Sequence, residues 1–301
     1  MAADHPTRCG FVAVLGAPNV GKSTLINQIV GAKVSIVSPK VQTTRTRVLG
    51  IHIEGTSQIV FIDTPGIFQP RRRLDRAMVA AAWGGAEDAD SVLLLVDAAK
   101  GLDANTRAIV ERLKTAGRPA VLVLNKVDLA KKPALLALAS ELNASGAFTD
   151  TFMVSALTGD GVGDLVAHLA ARMAEGPWHF PEDQISDMPQ RLLAAEITRE
   201  QLYRQLHEEL PYAATVETES WEERRDGSVK IDQVVFVERE SQRAIVLGKG
   251  GRRIRALGEA ARIELAAIFE RRVHLFLFVK VRESWGDDPE RYRDWGLDFN
   301  A

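Results

Sequence analysis

Gly16-Ala17-Pro18-Asn19-Val20-Gly21-Lys22-Ser23 meets every fixed position of the phosphate-loop pattern GxxxxGK[ST]. Phe11-Val12-Ala13-Val14-Leu15 before it is an apolar run of strand type, and Thr24–Val30 after it reads as a helix. Strand, glycine loop and helix start are the setting this pattern requires. Glycines let backbone N–H groups crowd around a polyphosphate, and the helix N-terminus adds partial positive charge. Lys22 supplies a point charge toward the terminal phosphates, and the Ser23 hydroxyl can ligate Mg2+.

Working outward, residues 10–174 alternate short apolar runs with helical patterns. Strands are expected at Phe11–Leu15, Ile59–Asp63, Val92–Asp97, Ala120–Asn125 and Thr151–Ser155. Helices are expected at Lys22–Val30, Arg73–Glu87, Thr106–Ala116, Pro133–Ser145 and Val162–Ala174. Such alternation predicts an α/β domain with a mostly parallel sheet and helices on both faces. Val48–Glu54 and Ser57–Phe61 meet across Gly55 as a hairpin, which makes the edge strand antiparallel. Residues 1–175 form this first domain. Residues 176–189 hold Pro177, Pro181 and Pro189 without periodicity and read as a linker.

From 190 to 301 the pattern changes to a smaller α+β domain with a C-terminal tail. Gln190–Glu209 is helical. Ala213–Glu222 and Val229–Val237 are strands around the turn signal Arg225-Asp226-Gly227. A short helical piece, a glycine turn at Gly248–Gly251, a helix Arg252–Arg271 and a strand Val273–Val281 follow, in the order α-β-β-α-α-β.

The 301 residues carry a net charge of −2 with pI near 6.3, so any nucleic-acid surface must be local. The single cysteine, Cys9, excludes an internal disulfide framework and fits a reducing compartment, as a small buried side chain. Met1–Arg8 has no apolar signal core, and the apolar runs Ser91–Val96 and Leu275–Val279 are of strand length. A cytoplasmic monomer is expected.

Four more motifs sit at strand ends or between elements of the first domain. Asp63-Thr64-Pro65-Gly66 offers a carboxylate for the Mg2+ shell and a Gly66 N–H for a γ-phosphate. Asn125-Lys126-Val127-Asp128 brings a carboxylate that matches the N1–H and exocyclic amine of guanine, a donor pair adenine lacks. In Ser155-Ala156-Leu157 the Ala156 N–H can meet the guanine O6. Gln42-Thr43-Thr44-Arg45 lies in a polar loop placed to give the metal a threonine. Motifs at the C-terminal ends of parallel strands mark where open α/β sheets bind ligands.

These five motifs in this order are similar to the translation-factor-related GTPases. The run Pro18–Leu25, the run Gln42–Arg47 and the glycine-loop domain resemble the Era family of bacterial ribosome-assembly GTPases, from about Gly10 to about Phe299. The resemblance implies GTP or GDP with Mg2+, and slow hydrolysis of GTP. It implies Gly16, Ala17, Pro18, Asn19, Val20, Gly21, Lys22, Ser23 and Thr24 on the phosphates, with Ser23, Thr44 and Asp63 at the metal. Thr43 is the rival to Thr44, which is preferred because Arg45 follows it. It also implies Asp63, Thr64, Pro65 and Gly66 as the γ-phosphate switch, and Asn125, Lys126, Asp128, Ser155 and Ala156 on guanine. Lys22, Thr44 and Gly66 take the catalytic roles. Ile67 stands where Ras-like enzymes carry a water-orienting glutamine. It has no hydrogen-bonding group and is expected to pack, so rate rests on positioning, Mg2+, Lys22 and a K+ ion near Asn19.

In the second domain, Gly248-Lys249-Gly250-Gly251 between helices matches the GXXG loop of KH domains, and the element order matches the type II arrangement. Lys249, Arg252, Arg253 and Arg255 surround the loop with Arg239 and Arg243, and Ile254 is a groove candidate. The resemblance implies binding of the single-stranded 3′ end of small-subunit ribosomal RNA and a role in small-subunit assembly. Trp285, Trp295 and Phe299 are expected to pack the tail onto this domain. Two other readings are a nucleotide-gated scaffold and a membrane-surface GTPase whose basic helix touches anionic lipid at the cytoplasmic face.

Overall fold

The computed structural model describes residues 6–40, 43–206 and 210–301. Gln42 of the polar loop, and residues 207–209 at the expected end of the second domain's first helix, lie outside the described residues. The chain divides into two compact units. One holds Met1–Ser35, Thr44–Asp187 and Tyr292–Ala301, the other Ile36–Thr43 and Met188–Arg291.

The first unit contains β1 (Arg8–Gly16), α1 (Lys22–Val30), β2 (Val48–Glu54), β3 (Ser57–Asp63), α2 (Arg73–Asp88), β4 (Ser91–Asp97), α3 (Ala104–Thr115), β5 (Ala120–Asn125), α4 (Lys132–Asn143), β6 (Phe148–Val154), α5 (Val162–Arg172) and β7 (Ala174–Glu175). The sheet runs β2-β3-β1-β4-β5-β6, with β2 antiparallel to β3 and the later neighbours parallel. The period of two along β1 sorts its side chains. Val12 and Val14 join Leu25 and Ile26 of α1 and Leu165 of α5, while Ala13 and Leu15 join Trp83 of α2, Ile109 of α3 and Leu138 of α4. Helices therefore cover both faces, and β1, β3, β4, β5 and β6 all end along one edge, at Gly16, Asp63, Asp97, Asn125 and Val154.

Two expectations are corrected here. The helix expected to reach Ala174 stops at Arg172, because Met173 turns extended and Ala174 pairs with Cys9 as β7. Residues 176–189 are no free linker. Trp178 and Phe180 pack on the core, and the buried Gln58 side chain donates to Phe180 O at 2.8 Å and accepts from Phe180 N at 3.0 Å. Ile51 N donates to Ile185 O at 2.9 Å and Leu49 N to Asp187 Oδ1 at 3.1 Å. The prolines forbid a helix but suit a strap that satisfies the open backbone of the edge strand β2.

The second unit contains α6 (Gln190–Gln205), β8 (Ala214–Glu223), β9 (Val229–Val237), α7 (Glu240–Leu247), α8 (Arg252–Ile268) and β10 (Val273–Val281). Its sheet order is β10-β9-β8, with β10 parallel and β8 antiparallel to β9. This is the expected type II KH arrangement. Ile36 is buried among Ala194, Ile197, Ile231 and Leu265, which is why the segment Ile36–Thr43 belongs to this unit and not to the first. The tail divides. Trp285 is buried in the second unit with Nε1 donating to Ala213 O at 3.0 Å. After α9 (Pro289–Asp294) begins, Tyr292 and Leu297 bury against Ala77 and Met78 of α2, with Trp295 and Phe299 packed beside them. Trp295 and Phe299 thus pack on the first unit, contrary to expectation, because α2 presents the apolar stripe that they cover.

Candidate nucleotide site and RNA interface

The glycine loop joins β1 to α1. At Gly21 φ is 102°, and a Cβ there would lie 2.3 Å from Asn125 Nδ2, so only glycine fits. Lys22 is buried, with Nζ donating to Gly16 O and Ala17 O at 3.1 Å each. Burial pushes its ammonium down to about 8, with the Asp63 carboxylate partly offsetting this. Ile67 is buried and its N–H donates to Gly16 O at 3.1 Å, so it packs as expected. Thr64 Oγ1 donates to Val14 O at 2.6 Å, and Gly66 lies against Pro18 so closely that a Cβ there would fall 2.9 Å from Pro18 Cα.

Three hydroxyls meet at one carboxylate oxygen. Asp63 Oδ2 accepts from Ser35 Oγ at 2.5 Å, Ser23 Oγ at 2.7 Å and Thr44 Oγ1 at 3.2 Å, and Ser23 Oγ lies 3.0 Å from Thr44 Oγ1. Burial pushes the Asp63 carboxyl up, opposed by these hydroxyls and by Lys22. Asp63 Oδ1 is buried with no hydrogen-bond partner among the described residues. A buried carboxylate oxygen without a donor, beside two hydroxyl oxygens, fits Mg2+, a hard cation that takes oxygen ligands and keeps part of its water shell. Thr43 is placed elsewhere. Its Oγ1 bonds Ser38 Oγ at 2.8 Å and Lys40 O at 2.7 Å, leaving Thr44 beside Ser23.

At the base end, Asp128 is exposed at a single helical turn after β5. Asn125 is buried and each end of its carboxamide is bonded within the protein. Nδ2 donates to Val20 O at 2.7 Å and Oδ1 accepts from Ala156 N at 2.9 Å. The structure therefore gives Asn125 a bracing role between two loops, and the Ala156 N–H expected to meet guanine is already bonded within the protein. Lys126, at φ 66°, donates from Nζ to Asn19 O at 2.8 Å and to Asp97 Oδ2 at 2.6 Å. Ser155 is buried, and its Oγ accepts from Thr158 N at 3.2 Å. Sequence reasoning missed Asp97, Ser35 and Asn27. Asp97 was detectable as the last residue of β4, in the same row of strand ends as Asp63 and Asn125.

In the second unit α7 gives way at Gly248 to the turn Lys249–Gly251, and α8 starts at Arg252. A Cβ at Gly250 or Gly251 would meet nothing within 4 Å, whereas one at Gly248 would lie 2.7 Å from Arg253 Cβ. The tip of the turn is thus open and its root is packed. Lys249, Arg252, Arg253 and Arg255 are exposed, and Ile254 is half-buried against the core. Arg253 also braces the turn, donating from Nη1 to Ile245 O at 2.9 Å. Arg243 is exposed and paired with Glu240 at 3.3 Å, so its charge is partly neutralised.

The fold and the row of strand-end motifs define a phosphate-loop GTPase domain followed by a type II KH domain. A family model described as 50S ribosome-binding GTPase matches residues 11–126, and one described as KH domain matches residues 209–286. GTPase Era of Rhizobium meliloti (strain 1021) is 63% identical over 98% of this chain and 94% of its own length. GTPase Era of Afipia carboxidovorans is 64% identical over 98% of this chain and 96% of its own. Among solved structures, a variant of Aquifex aeolicus Era bound to GDP·AlF4− superposes with a TM-score of 0.91 at 38% identity, covering 96% of this chain and 99% of that one. Era in complex with MgGDPNP and nucleotides 1506–1542 of 16S ribosomal RNA gives the same TM-score, identity and coverage. The chain belongs to the GTPase Era family.

Proposed function

We propose that this protein binds GTP and GDP with Mg2+, transfers the γ-phosphoryl group of GTP to water, and binds the single-stranded 3′ end of small-subunit ribosomal RNA during small-subunit assembly. The observation that carries the reading is the meeting of Lys22, Ser23, Thr44 and Asp63 at one sheet edge. The solved Era holding MgGDPNP and a 16S ribosomal RNA segment supports the same two ligand classes here.

On this proposal the roles are as follows. The loop Gly16–Thr24 and Lys22 hold the phosphates, and the Gly66 N–H faces the γ-phosphate. Ser23 and Thr44 give hydroxyl oxygens to Mg2+, with Asp63 beside them. The bound metal supplies neutralisation of the β- and γ-phosphate charge. Asp128 reads guanine, while Asn125 and Lys126 hold the surrounding loops. Ile67 offers no group to orient water, so intrinsic hydrolysis is slow. The Gly248–Gly251 turn takes the RNA backbone, and Lys249, Arg252, Arg253 and Arg255 meet its phosphates beside Ile254.

The reading also includes a cytoplasmic monomer and a K+ ion at Asn19, which turnover in KCl against NaCl at equal ionic strength tests. Among the described residues no helix is long and apolar enough to cross a membrane. Peripheral contact with anionic lipid remains a distinct outcome, read by vesicle co-sedimentation in competition with RNA. The central test is single-turnover hydrolysis with and without a short single-stranded RNA, with Lys22→Ala as control. Turnover abolished by Lys22→Ala and changed by RNA supports the reading. Turnover indifferent to Lys22→Ala removes the phosphate loop from the reaction.

A further inference from the structure

We propose that Ser35 is a positioning residue of the metal site, and that Asn27 on α1 holds it in place. The proposal rests on the guanine-nucleotide reading above and adds residues to which no motif assigns a role.

The Asn27 side chain spends both ends of its amide on one dipeptide. Oδ1 accepts from Val34 N and Ser35 N, each at 3.0 Å, and Nδ2 donates to Ser35 O at 2.7 Å. Ser35 is therefore fixed at its own N–H and its own carbonyl by a side chain from the last turns of a helix. Its hydroxyl is buried and makes the shortest of the three bonds to Asp63 Oδ2, at 2.5 Å. Hydrogen bonds to an ionised acceptor are the short, strong ones.

The three donors are not equivalent. Ser23 and Thr44 are the hydroxyls that would serve Mg2+ as ligands, and each would then have to share its oxygen between the metal and Asp63. Ser35 has no such competing duty. The terminal torsion of an aspartate is soft and broad, so the carboxylate plane is set by its hydrogen bonds. Ser35 is the donor that keeps this plane fixed through metal entry, and so decides where the unpartnered Oδ1 points. Partners of this outer kind are typically worth 10–100-fold in metal affinity when removed.

The test is a Mg2+ titration of fluorescent GDP binding at equilibrium, with no turnover, alongside thermal melting in EDTA. Ser35→Ala and the near-isosteric Ser35→Cys should each raise the Mg2+ concentration for half-maximal effect by roughly tenfold, with GDP affinity in EDTA unchanged. Asn27→Ala should reproduce the shift, and the double variant should be no worse than either single one, as expected for two residues acting in series. Should Ser35→Ala fail to fold, the cysteine variant decides. A parental Mg2+ titration in a folded Ser35 variant overturns the proposal, even if its melting temperature falls, because that pattern marks a merely structural serine. Additive shifts in the double variant overturn the Asn27 link. If the parent protein shows no Mg2+-dependent GDP binding at all, it is the nucleotide reading that fails.

Discussion

Lys22 keeps an ammonium group where burial works against its charge, which gives it a titration close to neutral pH. Anionic phosphates favour the charged form and raise this pKa again. Above about 8 the free protein holds Lys22 partly neutral, so nucleotide binding must take up as much as one proton and must weaken as pH rises. Well below that value both forms are charged and no proton moves. Stability without nucleotide runs with the opposite sign and rises with pH. The unfolded chain titrates near the ordinary 10.5, so the cost of burying the charge is full below about 8 and is relieved between the two values. Calorimetry in buffers of different ionisation enthalpy, at about pH 7 and about pH 9, should show uptake only at the higher pH, and none in Lys22→Met. Asp128, exposed and ready for a ligand, carries the second expectation at this scale. Asp128→Asn should weaken GTP on the order of a hundredfold and improve xanthosine triphosphate, whose 2-oxo group needs a donor. Competition binding with the two nucleotides checks the exchange. Lys22, Ser23 and Asp128 are legible in the sequence because their spacing within a loop is fixed by the phosphate or the base. Asn27 and Ser35 are not, because a side-chain amide bonding a backbone dipeptide seven and eight residues on leaves no spacing rule.

The turn between α7 and α8 divides its glycines by position. Gly248 is excluded from substitution by the packed Arg253, while Gly250 and Gly251 face open space with φ of 62° and 71°. Replacing both with aspartate should therefore strain the turn and set two negative charges in the path of an RNA backbone, abolishing single-stranded RNA binding with GTP affinity unchanged. Arg252→Ala and Arg255→Ala should each flatten the salt dependence of RNA binding by roughly 0.7 log units per log of salt. Arg253→Ala should in addition lower the melting temperature, since its guanidinium holds Ile245 O. Filter binding across a salt series, with circular dichroism melts, separates the two effects. At this scale nearly every helix and strand was readable, because the period of two or 3.6 records a face that must be buried. The strap over β2 and the two-residue β7 were not. Both exist to satisfy backbone edges already made, and edge pairing asks little of side chains.

At the scale of the whole molecule the sequence announces two domains but not which residues each one owns. The proline-rich stretch marks a change of composition, whereas ownership is decided by single buried anchors, Ile36 in one unit and Tyr292 in the other. Tyr292 is fully buried against Ala77 and Met78, with the Phe299 ring centroid 5.0 Å away. Tyr292→Ala should cost about 2–4 kcal/mol in the first unit. The loss should be visible as an earlier melt of that unit, with RNA binding retained. The exchange has a topological result. The backbone passes from one unit to the other after Ser35, Thr43, Asp187 and Arg291, four times in all. A scissile bond cut between Asp187 and Met188 therefore does not separate the molecule into two self-sufficient halves. The amino-terminal piece carries a stretch that completes its counterpart's core, and the carboxy-terminal piece returns one of its own, so the nicked halves are laced together as in a domain swap made within one chain.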